Sequence, residues 1–207
     1  MHGERERVAN LLGATALAIT DDLLSAPAAA SRLSMSAAAA LIVLRADPGV
    51  SVTELGRRVG LTQSAAVRMV DGLERDALVE RRRGIGNWTG VHPTAKGRRT
   101  AGQLLTSRTS RLTGVLDGLG EAEVRDLGAL LATLLDGLYQ GSGSADRMCR
   151  LCDRTACTPD GVECPVGAAD RAAARAAAED GAAVRAVAED GAAVRAVAED
   201  GARTDHG

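Results

Sequence analysis

Residues 51–97, SVTELGRRVGLTQSAAVRMVDGLERDALVERRRGIGNWTGVHPTAKG, decide how this chain is read. Ser51-x-x-Glu54 has the spacing of a capping box, in which a hydroxyl and a carboxylate satisfy free amides at a helix start. It opens TELGRRVG, which Gly60 ends. Thr62 then caps QSAAVRMVDGLERDA, whose Ala66, Met69, Val70, Leu73 and Ala77 fall on one inward stripe. Leu78–Arg81 and Thr89–His92 are short and β-compatible, and Gly84, Gly86 and Asn87 between them predict a flexible hairpin tip. Two short helices, a glycine turn and a basic hairpin spell a helix-turn-helix followed by a β-wing.

The flanks read as helix. Val8, Leu11, Leu12, Thr15, Ile19 and Leu23 recur at helical spacing, and Pro27 is expected to close that first helix. A second helix starts near Ser34 or Ser36 and runs through Ala40, Leu41 and Leu44 to the Asp47-Pro48-Gly49 stop. Beyond the wing, Pro93-Thr94 opens a long helix carrying Leu104, Leu105, Leu112, Val115 and Leu116. Val124, Leu127, Leu130, Leu131, Leu134, Leu135 and Leu138 mark another. That leucine stripe is too dense for one partner, so it predicts burial against another helix or a second subunit.

There is no Phe, one Trp (Trp88) and one Tyr (Tyr139), so the core must be built from Leu, Val, Ile and Ala. Such a core favours helix on helix, and the expected fold class is mainly α with a small β-hairpin wing. No run approaches the roughly 20 apolar residues of a membrane span. The opening MHGERERVAN lacks the cationic and apolar regions of a signal peptide, so a soluble cytoplasmic protein is expected. Three regions follow: 1–140 for the helix-turn-helix and its flanking helices, 141–167 for a GSGS hinge and a cysteine segment, and 168–207 for a tail. The tail repeats AAVRAVAEDG with glycines at 181, 191 and 201. A ten-residue period drifts around a helix, and each glycine costs about 1 kcal/mol against alanine, so frayed helix or disorder is expected.

The net charge of −2 hides a strong local imbalance. Residues 51–100 hold ten basic side chains against five acidic ones, whereas the tail from Pro165 is net acidic. A local basic patch is enough to attract phosphate. On the second helix of the motif the outward positions are Gln63, Ser64, Ala65, Val67, Arg68 and Asp71. Gln63 and Arg68 have the chemistry for bidentate bonds to purine edges, and Ala65 and Val67 are small enough to touch thymine methyl groups. Thr62, Ser64 and the helix amino end would hold a phosphate, and Arg81, Arg82 and Arg83 enter the wing, where cations follow the backbone or the minor groove. Double-stranded DNA is the expected partner. A helical bundle that merely carries surface arginines is the plainer reading, and the strand–glycine–strand element argues against it.

LTQSAAVRMVDGLERDALVERR followed by HPTAKGR resembles the MarR family of winged-helix transcriptional regulators, and the likeness covers about residues 8–140. The resemblance implies a winged helix-turn-helix between dimerisation helices, an obligate homodimer, a pseudopalindromic operator, and repression relieved by a small-molecule effector or by oxidation. It places Gln63, Ser64, Ala65, Val67 and Arg68 on the base-reading face, residues 51–60 on the supporting helix and 80–92 on the wing. Two positions depart from the pattern. Trp88 stands about where family wings carry a minor-groove arginine, and Gly72 stands where a basic side chain is common. Trp88 is expected to pack on the domain or to stack on a sugar.

All four cysteines fall within MCRLCDRTACTPDGVECPVG, as Cys149-x2-Cys152-x4-Cys157-x6-Cys164. Four thiolates suit tetrahedral Zn²⁺ or an iron–sulfur cluster, and permanent disulfides are disfavoured in a reducing cytosol. A thiol switch and a reduced, unstructured tail are the other readings, and the spacing alone leaves all of them open. His92 reads as a strand residue rather than a ligand. No nucleophile–base pair, phosphate loop or carboxylate pair stands out, so the chain reads as a non-enzymatic regulator. The alternative is a thiol or metal redox protein using Cys149-x-x-Cys152, with Arg147, Arg150 and Arg154 supplying the charge that lowers a thiol pKa.

Overall fold

The computed structural model describes residues 2–30, 33–84, 88–141 and 144–180, with side chains in the first helix through Leu23. The elements run α1 (His2–Ala30), α2 (Met35–Ala46), α3 (Val52–Val59), α4 (Gln63–Arg75), β1 (Val79–Arg83), β2 (Thr89–Pro93), α5 (Ala95–Leu116), α6 (Glu121–Gly137), α7 (Ser144–Met148) and α8 (Arg154–Cys157). A further helix, α9, occupies residues 165–180. The mainly helical fold with a two-stranded antiparallel wing matches the expected class. The hairpin-tip residues Gly86 and Asn87, and the repeat from Gly181 onward, lie outside the described residues.

Capping residues set the element starts. Ser34, Ser51, Thr62 and Thr94 each accept an amide hydrogen three residues on, from Ala37, Glu54, Ala65 and Gly97. These bonds satisfy amides that a helix leaves unpaired at its first turn. The stop between α3 and α4 is Gly60, at φ 77° and ψ 33°, with Leu61 N–H donating back to the Gly56 carbonyl at 2.9 Å. Gly56 also permits the close crossing of the two helices, since a Cβ there would lie 2.6 Å from that of Ala66.

The core lies between α2 and the winged element. Ala39, Ala40, Leu41 and Leu44 of α2 meet Leu55 and Val59 of α3, Val70 and Leu73 of α4, Val79 and Val91 of the wing, and Ala101 of α5. α2 is buried on every side from Ala37 to Leu44, as an alanine-rich central helix must be. The wing pairs Val79 with Pro93 through Arg83 with Thr89. It is tied to the body where Gly49 N–H donates to Val91 O at 2.8 Å and Val91 N–H to Val50 O at 2.9 Å. α1 lies along α5, joined by an Arg111–Asp22 ion pair at 2.6 Å.

Four sequence expectations are corrected. α1 does not stop at Pro27 but continues to Ala30; proline forgoes one helical hydrogen bond, and the alanines around it are strong helix formers. Pro93 ends β2, and the helix after it starts at the Thr94 cap. Ala77 is not on the inward stripe: α4 ends at Arg75, and Ala77 is exposed in the left-handed region at φ 55°. Only half of the expected capping box forms at α3, because the Glu54 carboxylate turns outward to Arg57 and Arg58.

Candidate nucleic-acid interface and cysteine pocket

α4 buries Ala66, Val70 and Leu73 and half-buries Met69. The opposite face therefore carries Gln63, Ser64, Val67 and Arg68, all exposed, with Ala65 half-buried at the margin. Neither Gln63 nor Arg68 spends its side chain on a hydrogen bond or ion pair with any described residue. The Thr62 hydroxyl accepts the Ala65 N–H at 3.4 Å and lies 3.4 Å from the Ser64 hydroxyl. The amides before it have no helical acceptor, which leaves the positive end of α4 open to an anion.

The wing arginines differ from one another. Arg81 is held by Asp71 at 2.6 Å and by Glu74, both on α4, so it braces the wing against that helix. Arg82 pairs with Glu80 of its own strand. Arg83 is exposed and has no ion-pair partner among the described residues. Trp88 is half exposed, and its ring covers Gly84, where a Cβ would come within 2.9 Å of Cε3. Its indole thus packs across the base of the hairpin while keeping one face in solvent. Arg68 and Arg75 of α4 and Arg83 of the wing are exposed cations without an ion-pair partner among the described residues, and Arg75 was not singled out by the sequence pattern.

Behind α4, the supporting helix is cross-linked by charge. Glu54 accepts from Arg57 at 2.7 and 2.8 Å and from Arg58 at 2.7 Å, while Arg58 also reaches Asp47 at 2.5 Å. The bond from Arg57 is the main reason the Glu54 carboxyl is drawn down to about 2, with burial opposing it. A folded-state pKa below the unfolded value gives stability that is present above about pH 4.5 and is lost as pH falls toward 2. Glu54 is one-third exposed, so solvent screening reduces its worth to about 1–2 kcal/mol. Unfolding measured from pH 6 to pH 2 should show wild type and Glu54→Gln converging as pH falls. Parallel curves would show that the network gives no acid sensitivity.

The cysteine segment docks on this same helix. Asp146 of α7 pairs with Arg57 at 2.7 Å, the Arg147 side chain passes over Gly60, and Leu151 packs at the edge of the core. Val166 of α9 is buried, and Tyr139 donates to Asp170 at 2.7 Å. Cys149, Cys152, Cys157 and Cys164, with Arg154 and Arg171, line one cavity of about 270 Å³. All four cysteines are free thiols. Cys164 closes the first turn of α9 through its carbonyl, which accepts from Ala168 N–H at 2.8 Å, and Pro165 takes the first helical position. Cys149 and Cys152 ionise as a pair: the Cys149 thiol hydrogen bond draws Cys152 down, helped by Arg108 and Arg154, and Cys149 is pushed up. No group of three or more His, Cys, Asp or Glu among the described residues is gathered as one metal ion would need. Arg108 was missed by the sequence reading; its position among Leu104, Leu105 and Leu112 of α5 was the available signal.

These features define a winged helix-turn-helix with an appended four-thiol module. Residues 31–86 match the family model of the MarR family. A MarR family protein from Bacillus stearothermophilus has the same fold, at 21% identity and a TM-score of 0.60, with 67% of this chain and 97% of that chain covered. MepR, a transcription regulator of the Staphylococcus aureus multidrug efflux pump MepA, aligns at 15% identity and a TM-score of 0.57, over 63% of this chain and 98% of its own. Streptococcus pneumoniae FabT in complex with DNA aligns at 21% identity and a TM-score of 0.55, over 65% and 96%. No curated protein matches the chain by sequence. The fold is thus that of the MarR-family regulators. No helix among the described residues is long and apolar enough to cross a membrane.

Proposed function

We propose that this protein is a homodimeric transcriptional regulator, acting as a repressor at a pseudopalindromic operator, with α4 reading bases in the major groove. The observation that carries the reading is the exposed face of α4: Gln63, Ser64, Val67 and Arg68 stand in solvent, Gln63 and Arg68 with their side-chain donors unspent on any described residue, beside an open helix amino end. The likeness to a fold solved on DNA supports it. Arg83 and the exposed side of Trp88 extend the contact along the backbone beside α4, and Arg81 contributes by fixing the wing rather than by touching DNA. The family likeness adds a small-molecule effector as a further class of partner.

What the fold leaves uncovered supports a homodimer. None of α6 is buried, and Leu130, Leu131, Leu134 and Leu138 stand in water, Leu130 at 63% exposure. Val8, Leu11, Leu12 and Leu17 of α1 and Val115 of α5 are also exposed. So many exposed apolar side chains on these helices mark an interface, and a second copy of the same stripe covers it best. Arg68→Ala should weaken binding to the selected operator by roughly 5- to 150-fold, the worth of one base-directed arginine, with little change on unrelated duplex. Equal losses on every duplex would demote Arg68 to a phosphate contact.

A further inference from the structure

We propose that the four cysteines form the binding site of a [4Fe–4S] cluster, and that its presence clamps α7 onto the helix-turn-helix. Three observations support the site. All four cysteines line one cavity of about 270 Å³, although they come from four separate points of the chain: the residue after α7, the turn that follows it, the end of α8 and the residue before α9. The surroundings are cationic: Arg154 and Arg171 line the cavity, and Arg108 is near enough to act on Cys152 and Cys157. The Nε of Arg108 is moreover buried without an acceptor among the described residues. An orphaned cationic donor near Cys152 and Cys157 favours an anion, and a cluster held by four thiolates is one.

Four cysteines around one cavity supply one thiolate for each iron of such a cluster. Zinc bound at 2.3 Å by four thiolates holds their sulfurs about 3.8 Å apart and leaves no cavity among them. Among the described residues no three candidate ligands are grouped as one ion needs, whereas a cluster puts each thiolate on its own iron around an inorganic core. Loading is a ligand exchange: a [4Fe–4S]²⁺ core carried by four small thiolates passes to the protein. Four Fe–S bonds to the carrier break and four to cysteine form, and each cysteine proton leaves on a released carrier thiol. No electron is transferred.

The link to the helix-turn-helix is the Asp146–Arg57 pair, which joins the turn bearing Cys149 to α3. A loaded cluster fixes Cys149 and hence α7. Its loss frees that turn and removes one brace from the helix supporting α4. This second half rests on the DNA-binding reading, whereas the site itself does not.

The test is anaerobic transfer from a synthetic thiolate-ligated [4Fe–4S] cluster to the full chain. The expected result is about four iron and four sulfide per chain with visible charge-transfer absorption. Both should be largely lost in Cys149→Ser/Cys164→Ser, and weakened in Cys157→Ser, which alters an exposed position without touching the core. Helical circular dichroism confirms that the variants fold. Stoichiometric zinc that the cluster cannot displace, or uptake unaffected by all three substitutions, overturns the site. Operator affinity is then compared with and without the cluster in wild type and Asp146→Asn. A difference present in wild type and absent in Asp146→Asn supports the clamp. Equal affinities in wild type overturn the clamp alone, and no specific binding in either state overturns the DNA-binding reading alone.

Discussion

Leu130→Asp/Leu134→Asp is expected to convert the proposed dimer to a monomer and to lower operator affinity by about two to four orders of magnitude. Both leucines lie on α6, exposed in the single chain, and neither packs on the core around α2. Burying a leucine is worth about 1.5–3 kcal/mol, and burying a carboxylate in its place costs more than that gain. The effect on DNA comes from geometry, since two α4 helices must be held about one turn of duplex apart to bind both half-sites together. Sedimentation reads the oligomer and a gel shift reads the affinity. Thermal unfolding of the winged core should change little, because these side chains touch none of it. A double variant that stays dimeric would place the interface elsewhere.

Gly97→Ala should have the largest effect on stability. A Cβ at this position would lie 1.9 Å from the Leu78 carbonyl oxygen. That oxygen cannot retreat, because it accepts Thr94 N–H at 3.0 Å and the Thr94 hydroxyl at 3.2 Å, next to the Thr94 cap of α5. Relief requires α5 to move away from the strand that leads into the wing. The cost expected is about 3–4 kcal/mol, with Tm falling by about 10 °C. Gly72→Ala is the control: a methyl group there meets nothing within 4 Å, and α4 should gain up to about 1 kcal/mol. If the two substitutions behave alike, the close approach at Gly97 does not hold in solution.

What the sequence disclosed follows the range of each interaction. Ser51, Gly60, Thr62 and Thr94 act on amides and carbonyls within one turn, so the helix starts, the stop and the exposed polar face of α4 could be read locally. The inward stripe failed only at Ala77, where a left-handed residue breaks the helix without a glycine to announce it. The charges were less legible. Three consecutive arginines look alike in sequence, yet Arg81 belongs to Asp71 and Glu74, Arg82 to Glu80, and Arg83 to solvent. That division depends on the wing folding back on α4. The cysteine module was legible as four thiols in a row, but its docking was not. The Asp146–Arg57 pair joins residues far apart in the chain, and no local pattern encodes it.

The most direct test of the account is selection of bound duplexes from a random pool by the purified protein, followed by titration of the winner and a scrambled control across a range of salt. The account predicts a pseudopalindrome with half-sites about one helical turn apart, bound at least a thousandfold more tightly than the control. It also predicts an affinity that falls steeply as salt rises, because phosphate contacts release counterions. A pool that stays unenriched, with both duplexes bound equally at every salt concentration, would contradict it.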